Sequence, residues 1–313
     1  MELIRNEETK IKTEYRFTND TGDAQVDVYH VFPGIEVAYV ALHMANFDFS
    51  AFEGAYRKDY VGFHYCAAGR IEQAIDNEFI YLMPGDLSVT AVDKNIKLFN
   101  FPLNHYHGLS IGVDKNAFED SFSCLLGDVS ISPDSVVEKI CSTHHTTVLR
   151  SCEKVGQILE TCFNIPEEQR TDYLKIKIIE FLYVLSQTDA KAYLTESSVS
   201  RSQAEYAKQI ADYISINIQN KMTIRELTEK FAISETHLQR IFRSVYGMPV
   251  ISFIRAQKMQ CAAQVLIHTT RSIDDIADEF GYVNESKFSA VFKKVMGDTP
   301  SIYRKEHSKV KIL

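Results

Sequence analysis

Two short stretches of the chain carry side chains suited to reading a nucleic-acid groove. One holds Thr236, His237, Gln239, Arg240 and Arg243; the other holds Glu285, Ser286, Lys287, Lys293 and Lys294. Glutamine makes paired hydrogen bonds to adenine and arginine to guanine, whereas lysines suit phosphates. A second chemistry is offered by His64, Glu72, His105 and His107, because imidazole and carboxylate suit Fe, Mn or Zn. No clustered His-x-His with a nearby Glu occurs around Phe63, and His105-x-His107 lies in a Pro-Leu-Asn-His-Tyr-His run that reads as loop. These histidines are therefore read as pocket-lining or surface groups, with no metal or other cofactor expected. His144-His145 reads as a solvated pair.

Catalytic signatures are lacking. The sequence has no GxSxG, P-loop or GxGxxG, and its six cysteines (66, 124, 141, 152, 162 and 261) include no CxxC pair. They read as reduced core thiols of a cytoplasmic protein, and no enzyme is expected. No stretch suits a membrane span and the N-terminus has no apolar leader core, so no membrane partner is expected.

The elements holding these groups in place can be read from the pattern. With 313 residues, 45% hydrophobic and 24% charged, two globular domains are the default. Net charge is −8, but residues 205–313 hold 16 Lys/Arg against 12 Asp/Glu, leaving −12 on the first 204. An acidic module joined to one suited to a polyanion is expected. Residues 24–113 read as short strands with turn signals at Asp76-Asn77, Pro84-Gly85-Asp86 and Asp93-Lys-Asn95, hence a sandwich or small barrel. Val148, Cys152, Val155, Leu159 and Cys162 then follow a 4-3-4-3 rhythm. The stripe is either a dimer seam or a face laid on the barrel; the dimer seam is the expectation taken forward. Pro166 opens a further helix that is apolar around most of its circumference, and 189–202 is Ser-rich and aperiodic, a linker.

The last third repeats itself. Ile224, Leu227 and Phe231 recur as Ile273, Ile276 and Phe280. Leu238, Ile241, Phe242 and Val245 recur as Phe288, Val291, Phe292 and Val295, and Gly247 as Gly297. Each copy is a short helix, a turn and a longer helix N-capped by Ser234 or Asn284, the plan of a helix-turn-helix. Residues 252–268 form a connector about 25 Å long, enough to hold two recognition helices about one DNA turn apart.

Met222-Thr-Ile-Arg-Glu-Leu-Thr-Glu-Lys-Phe-Ala-Ile-Ser-Glu-Thr-His-Leu-Gln-Arg-Ile-Phe-Arg, with Gly247-Met-Pro, resembles the first half of the AraC/XylS-type DNA-binding domain. Ile273-Asp-Asp-Ile-Ala-Asp-Glu-Phe-Gly-Tyr-Val-Asn-Glu-Ser-Lys-Phe-Ser-Ala-Val-Phe-Lys-Lys, with Gly297-Asp-Thr-Pro-Ser-Ile-Tyr-Arg, resembles its second half. The resemblance implies a bacterial transcription regulator with base readers at Thr236, Gln239 and Arg240, and at Glu285, Ser286 and Lys287. Thr228 departs from a usual Ala, Ala290 from a common Arg, and Glu285 brings an anion to the groove, so the second copy is expected to anchor phosphates. Phe63-His-Tyr-Cys-Ala-Ala-Gly-Arg-Ile-Glu and Tyr81-Leu-Met-Pro-Gly-Asp are similar to a cupin-like sensor domain.

The expected fold is α+β in two domains: a cupin-like β-barrel followed by helices, then an all-α domain with two helix-turn-helix motifs joined by a linker helix. The parts are an effector-sensing domain (1–132), a helical dimerisation segment (133–188), a linker (189–202) and a DNA-binding domain (203–307), with motifs at about 224–246 and 273–296. The expected function is sequence-specific transcription regulation in response to a small molecule held by Phe63, His64, Tyr65 and Tyr81. Its partners are double-stranded DNA, a second copy of the chain, and RNA polymerase if it activates. The competing reading is a cupin-type metal-dependent enzyme fused to a DNA-binding module, which metal on His64 and His107 would favour.

Overall fold

The computed structural model describes residues 2–8, 11–19, 22–44, 47, 60–75, 78–91, 99–114, 133–141, 146–193, 198–220 and 222–307. The turns expected at Asp76-Asn77 and Asp93-Lys-Asn95, and the His144-His145 pair, lie outside them. The chain divides into two compact units, Met1–Ser200 and Arg201–Leu313.

The first unit begins with β1 (Glu2–Glu8), β2 (Lys12–Asn19), β3 (Gly22–Phe32), β4 (Ile35–His43) and β5 (Tyr60–Gly69). It continues with β6 (Ile71–Ile75), β7 (Glu78–Leu82), β8 (Leu87–Ala91), β9 (Phe99–Asn100) and β10 (Tyr106–Asp114). Next come α1 (Pro133–Ile140), β11 (Thr146–Leu149), α2 (Glu153–Phe163), α3 (Glu167–Gln187) and β12 (Ser198–Ser200). Among the described residues they form an eight-stranded sheet, ordered β1-β2-β3-β4-β10-β5-β8-β11, and a four-stranded sheet, ordered β12-β7-β6-β9. Each sheet has two edges, so the expected barrel is not closed. The chain changes sheets at Gly69, whose φ of +80° is easy only without a Cβ; a Cβ there would come within 2.0 Å of the His105 carbonyl oxygen. Strands β1 and β2 extend the sheet N-terminal to the region read as β. Their mostly polar sequence, with few fully buried positions in β2, hides them from a pattern search.

Alternation gives the large sheet two buried faces. One carries Tyr29, Val37, Phe63, Tyr65, Leu109 and Ile111 and is covered by α1–α3 through Val155, Leu159, Phe181 and Leu185. The other carries Phe17, Val26, Leu42, Cys66 and Tyr106 and packs with Ile71 and Leu82 of the small sheet.

The expectation of a helical dimer seam is corrected here. Val148 lies in β11, not in a helix, and Cys152 is the N-cap of α2. Cys152, Val155, Leu159 and Cys162 are consumed in the core of their own chain, because a stripe at this spacing serves a sheet face as well as a partner helix. Helix α3 buries Leu174, Ile178, Phe181, Leu182 and Leu185 and leaves the apolar Tyr173, Ile176 and Tyr183 exposed. The segment read as a linker holds the division between the two units, at 200/201, and Val199 within it is buried in β12, paired with Phe79 of β7.

The second unit is helical: α4 (Arg201–Ile216), α5 (Ile224–Lys230), α6 (Glu235–Tyr246), α7 (Val250–His268), α8 (Ile273–Glu279), α9 (Glu285–Met296) and α10 (Pro300–His307). None of the described helices is long and apolar enough to cross a membrane.

Candidate nucleic-acid interface

The first helix-turn-helix is held by local chemistry. Thr223 caps α5 in a reciprocal box: its side chain accepts from the Glu226 N–H while Glu226 accepts from the Thr223 N–H. Ser234 caps α6 by accepting from the His237 N–H at 3.3 Å, and Gly247 ends that helix at φ 75°. Leu238, Ile241, Phe242, Val245 and Tyr246 are buried, which turns Thr236, Arg240 and Arg243 to solvent. With Glu235, Gln239 and Ser244 they line one shallow recess. The guanidiniums and hydroxyls there are hydrogen-bonding groups of the kind that read base edges and phosphates.

Gln239 has a structural task as well. Its Oε1 accepts the Val250 N–H at 3.3 Å, satisfying one of the open donors at the start of α7. The residue at the N-cap itself, Pro249, makes no side-chain cap. Gln239 therefore joins the recognition helix to the connector. His237 is half-buried beside it in sequence.

The second copy repeats the caps. Ser272 accepts from Asp275 N–H at 3.0 Å and Asn284 from Lys287 N–H at 2.8 Å. Glu285, Ser286, Lys287, Ala290, Lys293 and Lys294 are exposed. Phe288 and Phe292 are buried, but Val295, the counterpart of buried Val245, is 37% exposed. The turns differ as the repeat implies, 231–234 against 280–284. At matched places Ala232 takes φ 48° and Gly281 φ 78°. Thr228, in place of a small residue, is accommodated by donating its hydroxyl to the Arg225 carbonyl at 2.8 Å.

The connector α7 runs 19 residues, about 28 Å at 1.5 Å per residue. Its Lys258 donates to the Phe280 carbonyl at 2.9 Å, closing the end of α8, and burial lowers its pKa. Arg304 of α10 donates to the carbonyls of Leu266 and Arg271, tying down the loop between α7 and α8.

In the first unit, the four residues expected to hold an effector are divided by strand alternation. Phe63 and Tyr65 face the helices, with the Phe63 ring edge-on to Phe181 at 5.3 Å. His64 points the other way, its Nδ1 2.9 Å from Ser110 Oγ, and burial lowers its pKa to about 4. Tyr81 donates to Glu72, which also accepts from Asn100 Nδ2 at 3.2 Å. Gln73, beside Glu72, donates to Ser88 at 3.0 Å, while its Oε1 is buried with no hydrogen-bond partner among the described residues. Sequence reasoning missed Gln73, Ser88 and Ser110, since nothing in their spacing tells which sheet face they share.

The histidines separate likewise. His64 is not with His105 and His107; instead His43 joins those two. Burial, then His43 and His107, lower the His105 pKa to about 4; burial and His43 lower that of His107.

Comparison with known proteins bears on the helical unit. The sequence family described as a helix-turn-helix domain matches residues 227–306. The HTH-type transcriptional activator AarP of Providencia stuartii is 30% identical over 102 residues, 33% of this chain and 76% of that protein. The bifunctional transcriptional activator/DNA repair enzyme AdaA of Bacillus subtilis is 32% identical over 101 residues, 32% of this chain and 48% of that protein. The regulatory protein SoxS of Salmonella typhimurium is 34% identical over 103 residues, 33% of this chain and 96% of that protein. With two capped helix-turn-helix copies in the matched region, and with regulators of this kind matched over most of their own length, the chain belongs to the AraC/XylS family of DNA-binding transcription regulators.

Proposed function

We propose that the chain binds a specific duplex site through both helix-turn-helix copies and regulates transcription, by binding rather than by catalysis, in response to a small molecule held in residues 1–132. The observation that carries the DNA reading is the exposed row Thr236, Arg240 and Arg243 on a helix whose opposite face is buried. Arg240 is the base reader, Arg243 and Lys293 and Lys294 meet phosphates, and Ser286 and Lys287 add contacts at the second groove. DNase footprinting with the wild type and Arg240→Ala tests this. The expected result is a protected site of two half-sites one turn apart, lost or relaxed at one half-site in the variant. Protection that Arg240→Ala leaves untouched overturns the assignment of Arg240.

The effector reading rests on the polar groups enclosed in an apolar β unit. A buried amide oxygen without a partner costs about 1–3 kcal/mol, and a ligand donor would relieve it. Gln73, Glu72, Ser88 and His64 therefore suit a small polar molecule bearing hydrogen-bond donors. A thermal-shift screen of small polyols, amines and amino acids tests it: a stabilising compound whose effect is lost in Gln73→Leu supports the reading, and one whose effect survives places the effector elsewhere. Self-association through residues 134–188 falls to the exposed side chains of Tyr173, Ile176 and Tyr183. Sedimentation of Ile176→Glu tests it, with dimer for the wild type and monomer for the variant. An activator would also meet RNA polymerase.

A further inference from the structure

Three imidazoles meet at one end of the large sheet. His43 ends β4, His107 lies one residue into β10, and His105 precedes that strand. The pairing of Tyr106 with Leu42 places His105 directly opposite His43. One nitrogen of each ring lies within 4.8 Å of the others, and the Nε2 atoms of His43 and His107 are 3.0 Å apart. Ring centroids of all three pairs are 4.9 to 5.1 Å apart. Pairing puts Leu109 opposite Tyr39, so by alternation the cluster continues the face that carries them, away from His64 and Ser110.

The backbones beneath the rings are fixed. A Cβ on Gly22 would come within 1.9 Å of the His43 carbonyl oxygen, and one on Gly69 within 2.0 Å of the His105 carbonyl oxygen. Two glycines on flanking strands thus let the main chain close tightly on both histidines. Asp23 stands opposite His43 in the β3–β4 register.

We propose that His43, His105 and His107 form a binding site for one late first-row divalent cation, with Zn2+ as the representative ion. Imidazole nitrogens suit Zn, Cu and Ni, and a tetrahedral ion with bonds of about 2.0–2.1 Å holds its donors about 3.3 Å apart. The His43–His107 separation is close to that spacing, and one nitrogen of His105 lies within 4.8 Å of both. Three protein nitrogens leave the fourth position open to water, to a carboxylate or to an exogenous ligand, which is the arrangement of a reactive or sensing zinc and not of a closed structural one. The donor set differs from the His64-based reading of the sequence, and it stands independently of how the helical unit reads DNA.

The test uses the full chain, stripped with a chelator and titrated with Zn2+ and, separately, Co2+. One Zn2+ per chain is expected. Co2+ should give ligand-field bands of a nitrogen and oxygen site without a thiolate charge-transfer band. His43→Ala and His105→Ala should each weaken Zn2+ binding by at least the roughly 10–100-fold that loss of an outer-shell partner costs, while His268→Ala binds as the wild type. Absence of stoichiometric binding, unchanged affinity in both variants, or a thiolate band overturns the proposal. The cobalt spectrum is read on the wild type, so it decides the matter even where a variant folds poorly.

Discussion

Helix α6 buries Leu238, Ile241, Phe242, Val245 and Tyr246, whereas α9, built on the same repeat, buries Phe288 and Phe292. The difference comes from the segment that succeeds each helix in the chain. After α6 the chain turns into the long connector, whose Phe253 meets Phe242 at 5.4 Å and Tyr246 at 4.4 Å. After α9 comes the eight-residue α10, which offers Tyr303 against Phe292 at 5.4 Å and leaves Val295 37% exposed. Val283, in the second turn, is 85% exposed. The chemistry of the open faces parallels this. The tightly seated helix displays two guanidiniums, whose planar forks need a fixed geometry to read bases; the loosely seated one displays three lysines, which act as point charges and tolerate movement. Positional precision and the choice of cation go together.

Substitutions at matched positions put this contrast to the test. Val245→Ala should cost about 1.5–3 kcal/mol in chemical unfolding, since the side chain is fully buried, and Val295→Ala should cost under about 0.5 kcal/mol. Equal losses would show the two helices to be seated alike. On the DNA, Arg240→Ala should lose about 1–3 kcal/mol at the specific site and relax preference at one base pair, and Lys287→Ala should lose less and with no change of preference. A saturation scan of the operator that finds both half-sites equally constrained would remove the distinction between forks and point charges.

The turns and the connector give smaller effects. Ala232 occupies the left-handed conformation that Gly281 takes in the other copy, so Ala232→Gly should raise stability by about 1 kcal/mol and Gly281→Ala lower it by about as much. A Cβ on Gly281 would find Lys258 Nζ no nearer than 3.6 Å, so the cost there is conformational, not steric. Gln239→Ala should cost about 1 kcal/mol in unfolding through the lost Val250 cap, and Gln239→Glu, which keeps an acceptor oxygen, should recover it. If instead Gln239→Ala left stability unchanged but altered base preference, the side chain would belong to the groove. Last, Lys293→Ala should reduce the slope of log K against log salt by about one unit with preference intact.

The helical unit was largely legible because its signals are local. N-caps at Ser234 and Asn284, helix-ending glycines at 247 and 297, and a repeat of apolar residues at helical spacing each act within a few residues of themselves. What the repeat hid was the fate of Gln239, whose partner Val250 belongs to the next helix, and of Val295, which is exposed where its counterpart Val245 is buried. In the β unit the stripe through Val155 and Leu159 was correctly apolar, but the same spacing serves a partner helix or a sheet, and only the packed sheet decided between them.

Composition, charge asymmetry and the internal repeat were enough to establish that an acidic β unit precedes a basic helical one with two helix-turn-helix copies, because hydrophobic period and capping are properties of neighbouring residues. Which side chains share a surface came from the tertiary structure alone. Strand register set His43 against His105 across more than sixty residues of chain, sent Phe63 and His64 to opposite faces of one strand, and left the sheets open at their edges. Register depends on pairings between distant segments, and a shift of a single residue would send every one of those side chains to the other face.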